Sequence, residues 1–250
     1  MPDPAHDPVS AKLSRRGVIA AGAGLAATAA ATLGPAGLAE AAGHAGGGKA
    51  PHPKTPAEAL RILQAGNKRY RQGKLQLRDY SPVGERRAAE QKPLAAIITC
   101  ADSRISPELV FDIERGNIFV SRIAGNSVDV GTLGSTEYAV AVLGVKLVMV
   151  LGHSDCGAIK AAIGTVTEGK TYPSSKYGSI GAVIQGLVPT VKSLPAAQRT
   201  LGRCVPANAI AQATDLAARG PIISAAVAAG TVEVVAGVYN IANGAVSIVR

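Results

Sequence analysis

Tryptophan is absent from these 250 residues, and phenylalanine and tyrosine supply only two and six. So few rings leave no platform on which nucleotide bases could stack in series. Cysteine is equally sparse. Three residues, Cys100, Cys156 and Cys204, are an odd number, which argues against a disulfide framework. There are four histidines, and three of them (His6, His44 and His52) lie in the first 52 residues, leaving His153 alone in the rest. Charged side chains are also few, at 17%, whereas apolar residues make up 47%. Val, Ile, Leu and Ala must therefore build the core. Lys and Arg outnumber Asp and Glu by 26 to 17, for a net charge of +9. These cations are scattered and not interleaved with rings, so they read as a solvated basic surface, with no nucleic-acid partner.

What is present begins with an address. Residues 14–33 read SRRGVIAAGAGLAATAAATL, a pair of arginines followed by an apolar run rich in Ala and Gly. This is the layout of a secretory signal of the twin-arginine type, which exports folded proteins. Val18 stands where that pattern usually has Phe. The run is long enough to span a bilayer, but its small residues make it a poor permanent anchor. Ala39-Glu40-Ala41 fits a small-residue cleavage site, and GHAGGGKAPHPKTP reads as a flexible link. The expected organisation is a signal over 1–41, a linker over 42–54 and a single domain over 55–250. The expected location is periplasmic or extracellular, with no stable membrane anchor once the signal is removed. The first 41 residues hold three basic and three acidic side chains, so the basic balance belongs to the domain.

Thr55, Pro56 and Glu58 form a helix-start signal, and Ala59, Leu60, Leu63 and Tyr70 can share an apolar stripe along 55–73. Short apolar runs at 93–99, 117–123 and 145–152 read as strands. Helical patterns fall between and after them, at 131–144, from 157 onward, at 177–192 and at 205–229, with Pro189 and Pro206 near expected boundaries. The last stretch, 231–249, reads as two strands joined around Asn243-Gly244. Continuous apolar strands alternating with helices predict an α/β fold: a mainly parallel, covered sheet with flanking helices and a C-terminal antiparallel edge hairpin.

Two motifs carry chemistry: CADSR at 100–104 and HSDC at 153–156. Each follows the C-terminal end of an expected parallel strand, the edge at which open α/β sheets build their sites. If those strands are neighbours, Cys100, His153 and Cys156 enter one crevice. Two thiolates and an imidazole are donors that suit zinc, and they leave a fourth position for water, substrate or a carboxylate. Residues two apart in extended backbone point the same way, so Cys100, Asp102 and Arg104 can share a face. Arg104 can hold Asp102 ionised in a planar fork. Asp102 then either ligates the metal, closing the site, or accepts a hydrogen bond from metal-bound hydroxide.

CADSRISPELVFDIERGNIFVSRIAGNSV and EYAVAVLGVKLVMVLGHSDCGAIKAA resemble the two defining blocks of the beta-class carbonic anhydrases, and the likeness runs from about residue 55 to the C-terminus. The resemblance implies a zinc lyase that hydrates CO2 reversibly to bicarbonate and a proton through hydroxide on the metal. It implies zinc ligands at Cys100, His153 and Cys156 and a catalytic pair at Asp102 and Arg104. It further implies substrate contacts at Gln91 and Gly157, an apolar CO2 pocket lined by Phe119 and Tyr138 across a subunit interface, and a homodimer or homotetramer. Some members bind regulatory bicarbonate with a Trp three residues before the first cysteine. Ile97 stands there in this chain, which favours the open site. Two alternatives share the zinc centre: hydrolysis of carbonyl sulfide or carbon disulfide, and a non-catalytic zinc-binding protein.

Overall fold

The computed structural model describes residues 52–76 and 91–250. The expected signal and most of the expected linker lie outside the described residues. The elements run α1 (Pro56–Arg71), β1 (Ala95–Thr99), α2 (Pro107–Val110), β2 (Ile118–Arg122), α3 (Val130–Ala141), β3 (Leu147–His153) and α4 (Gly157–Glu168). They continue with α5 (Ser174–Tyr177), α6 (Ile180–Ser193), α7 (Leu201–Ala218), α8 (Ile222–Ala228), β4 (Glu233–Tyr239) and β5 (Val246–Val249). Among the described residues no helix is long and apolar enough to cross a membrane.

The strands form one sheet in the order β2-β1-β3-β4-β5. The first four are mutually parallel, and β5 closes the edge antiparallel to β4. The chain leaves β1 for β2 on one side and then returns to β3 on the other. The C-terminal ends of β1 and β3 therefore flank a topological switch point, the crevice in which such sheets bind ligands.

All of β1 and β3 is buried, which explains why both read as unbroken apolar runs instead of alternating ones. Ile97, Leu147, Met149 and Leu151 face one layer with Leu63, Ile159 and Leu187. Ala96, Ile98, Val148 and Val150 face the other layer with Ala139, Ala213 and Leu216.

The opening helix starts as its sequence predicts. Thr55 Oγ1 accepts the Glu58 N–H at 3.2 Å, and Glu58 Oε2 accepts the Lys54 N–H at 2.8 Å. Asn67, buried on its inner face, donates to the Val110 and Gly244 carbonyls and accepts the Val246 N–H, tying α1 to β5. Gly66 is required there, because a Cβ would stand 1.7 Å from the Phe111 carbonyl oxygen.

Several boundaries differ from expectation. β3 extends through His153, because β4 offers it a partner in Tyr239. Pro206 and Pro189 lie inside α7 and α6 rather than at their ends. Each interrupts one helical hydrogen bond at a cost of about 3 kcal/mol, which the buried faces of those helices outweigh: Val205, Ala209 and Leu216 in α7, Leu187 and Val191 in α6. Expected as one helical stretch, 205–229 is two helices, α7 and α8, and Cys204 is buried within α7. The hairpin exists, but its loop is longer than a two-residue turn. Asn240 donates to the Ala245 carbonyl and accepts the Gly244 N–H, and only Gly244 takes the left-handed conformation there, at φ 72°.

Candidate metal centre

The register of β1 on β3 sets Thr99 beside Leu151, and the Thr99 hydroxyl donates to the Leu151 carbonyl at 3.0 Å. Cys100 is the next residue on one strand, and His153 ends the other. A turn through Asp155, left-handed at φ 65°, then brings Cys156 to the N-terminal boundary of α4. The ligand atoms of Cys100, His153 and Cys156 lie within 4.8 Å of one another, and all three residues are buried.

His153 is completely enclosed. Its Nδ1 is 2.8 Å from the Ser154 carbonyl. A carbonyl only accepts, so Nδ1 carries the proton and Nε2 presents a lone pair. That Nε2 has no hydrogen-bond partner although it is buried. An orphaned imidazole nitrogen facing two sulfurs is what a borderline metal ion would satisfy, and the Cys2His donor set fits zinc.

The thiols are strongly unequal. Cys100 is pulled far below the ordinary thiol range, first by its hydrogen bond with Cys156, and against burial. The Gly125 N–H, 3.4 Å from its sulfur, adds to the effect. Cys156 is pushed up by the same shared proton and by burial. Sharing one proton thus favours a thiolate at Cys100 over one at Cys156, and a bound cation would favour loss of that proton too. Gly125 cannot readily be replaced. It sits at φ 73°, and a Cβ would be 2.7 Å from Leu187 Cδ1.

Asp102 and Arg104 form the expected fork. Arg104 Nε reaches Oδ1 at 2.9 Å and Nη2 reaches Oδ2 at 2.7 Å, while the Arg104 backbone N–H also donates to Oδ1. The Arg104 guanidinium holds the Asp102 carboxyl far below the usual carboxylate range. Asp102 Oδ2 is 4.0 Å from His153 Nε2, so the carboxylate faces the same opening as the three donors.

The structure thus brings together Cys100, Asp102, Arg104, His153 and Cys156. Phe119 and Tyr138 meet each other, with ring centroids 6.4 Å apart and planes tilted by 38°. A side chain at Gly157 would meet open space within 4 Å, so small size there leaves room beside Cys156. Gln91 is exposed, ahead of β1, and the hydrogen bonds of the group do not include it.

Four supporting residues escaped the sequence reading. Arg122 donates to the Cys100 and Asp102 carbonyls at 3.3 and 2.6 Å, fixing the loop between them. Gly125 donates to sulfur. The Ser154 hydroxyl accepts the Ile241 N–H at 3.0 Å, anchoring the HSDC turn to the terminal hairpin. Asp155 meets Arg104 Nη1 at 3.4 Å and pairs with Lys160. Of these, only Asp155 carried a signal, as a carboxylate between two ligand candidates.

Comparison with known proteins agrees with this geometry. A family model described as carbonic anhydrase matches residues 95–246. Carbonic anhydrase 2 of Mycobacterium tuberculosis strain H37Rv is 44% identical over 138 residues, which cover 54% of this chain and 64% of that protein. The chain thus spans just under two thirds of that relative's length. The carbonic anhydrase of Mycolicibacterium smegmatis is 35% identical over 205 residues, covering 77% of this chain and 93% of that protein. Among solved structures, a Coccomyxa beta-carbonic anhydrase in complex with acetazolamide superposes with a TM-score of 0.56 at 28% identity. It covers 76% of this chain and 80% of its own.

Proposed function

Because this chain belongs to the beta-class carbonic anhydrase family, we propose that it hydrates CO2 reversibly to bicarbonate and a proton at a zinc centre held by Cys100, His153 and Cys156. The observation that carries the reading is the orphaned His153 Nε2, enclosed with two sulfurs and faced at 4.0 Å by an arginine-held carboxylate. When bound, zinc supplies a Lewis acid that lowers the pKa of water from 15.7 towards about 7.

The chain's own residues do the rest. Arg104 keeps Asp102 ionised at every working pH, so Asp102 acts only as an acceptor. It takes a hydrogen bond from the attacking oxygen and points the remaining lone pair at carbon. The space beside Gly157 and the Phe119–Tyr138 pair would receive an apolar triatomic substrate, and Gln91 would donate to one of its oxygens. A second chain completes that pocket in this reading, which gives a homodimer or homotetramer. The exposed apolar stripe on α3 supports it: Val130, Tyr138 and Val142 are 87%, 47% and 62% exposed. We further propose that residues 1–41 direct export by the twin-arginine route and are removed, on the strength of Arg15-Arg16 and the apolar run after them.

The test is stopped-flow CO2 hydration across about pH 6.5 to 9, with zinc assayed on the same sample. Turnover that rises with pH at one zinc per chain is the expected result. Stoichiometric zinc without turnover would overturn the reading, and carbonyl sulfide and carbon disulfide would then be tried as substrates.

A further inference from the structure

The HSDC turn carries a carboxylate that the proposed reaction does not use. Asp155 lies between His153 and Cys156, half exposed, with its carboxylate paired to Arg104. Arg104 spends Nε and Nη2 on Asp102, and its remaining nitrogen, Nη1, faces Asp155 Oδ2 at 3.4 Å. The guanidinium is thus gripped from two loops, the one after β1 and the one after β3. Lys160, one turn into α4, holds the other oxygen of Asp155 and fixes the direction of its carboxylate.

From this arrangement we infer that Asp155 is a positioning residue: it braces Arg104 in the orientation that retains Asp102, and so keeps the fourth metal position open to small ligands. The inference rests on the zinc-site reading above. Asp102 Oδ2 is already 4.0 Å from His153 Nε2, so a modest swing would bring it onto a metal ion. What opposes that swing is the planar fork of Arg104, which binds both oxygens only while the guanidinium keeps its plane. Asp155 supplies the third side of that plane.

A purely conformational role is the competing explanation. Asp155 occupies left-handed backbone at φ 65°, and Asp, Asn and Gly are the residues that tolerate it. Asp155→Asn and Asp155→Gly both preserve that backbone while removing the charge, so the two explanations separate.

The experiment uses the full-length protein with zinc replaced by cobalt(II), titrated with thiocyanate and followed by visible absorption. This readout does not depend on turnover. Asp155→Asn and Asp155→Gly should each retain metal and bind thiocyanate roughly two- to five-fold more weakly, the scale of a solvent-exposed ion pair. The sign is decisive, because loss of a nearby negative charge would by itself tighten anion binding. Adding Asp102→Asn to Asp155→Asn should restore the affinity of Asp102→Asn alone, since the intruding carboxylate is then gone. Unchanged or tighter binding in the single variants overturns the inference, as does a wild-type protein that binds no thiocyanate. Absence of CO2 hydration in the zinc protein would count against the functional reading alone, and the anion titration would still decide the role of Asp155.

Discussion

Asp102 is the residue on which the proposed chemistry turns, and its two candidate roles predict different phenotypes. As an acceptor held by Arg104, it can be replaced by Asn without loss of any of the three metal donors. Asp102→Asn should therefore keep one zinc per chain and lose roughly 10²-fold or more in kcat, the usual scale for removing one aligned catalytic hydrogen bond. Zinc analysis beside stopped-flow kinetics checks this. Metal loss in the variant would make Asp102 chiefly a ligand, and full activity would remove it from the mechanism. This dyad and the three donors were legible in the sequence because each is a spacing within a short segment after a strand. Arg122, Gly125 and Ser154 were not, since what they do depends on partners 22, 25 and 87 residues away. Such partnerships exist only once the sheet order is known.

At the scale of elements, α1 is clamped to the sheet by one buried side chain. Asn67 uses both of its amide atoms on three backbone groups from α2 and the terminal hairpin. Asn67→Ala leaves those groups unpaired in a buried place and should cost about 2–4 kcal/mol, read as a lower urea midpoint with an unchanged slope. A loss below about 0.5 kcal/mol would mean that water replaces the amide. The same helix brings the Tyr70 hydroxyl to 3.2 Å from that of Tyr239, at the end of the strand paired with His153. Burial, and then Tyr70, push Tyr239 up to about 12. A raised phenol favours the folded state while it is protonated. Its contribution is therefore complete below about pH 10, the unfolded value, and fades as pH rises through about 12. Titration of tyrosinate absorbance should show one late step that Tyr239→Phe removes; six tyrosines titrating together would contradict it. The strands were readable because burial on both faces makes them unbroken apolar runs. The helix limits were not, because Pro189 and Pro206 are tolerated only by virtue of tertiary packing that local sequence does not reveal, α6 against α4 and α7 against β3 and β4.

For the whole molecule, the unsolved surface is the outer face of α3. Val130, Gly131, Gly134, Tyr138, Ala141 and Val142 are all exposed there, and none carries a charge. In a chain with a net charge of +9, a mainly apolar stripe, with the partly exposed Glu137 beside it, is where like molecules can meet with little repulsion. Tyr138 also touches Phe119, so whatever covers the stripe also walls the space that the substrate is proposed to enter. Assembly and activity should therefore fail together. Val142→Asp places a carboxylate in the stripe of each copy, and two such charges buried across a symmetric contact are unpaired. The variant should shift from dimer or tetramer to monomer in light scattering, keep its zinc, and lose activity in proportion to the monomer formed. Raising the protein concentration should recover both together. A variant that stays assembled would show that the contact lies elsewhere. A fully active monomer would show instead that the pocket is complete within one chain.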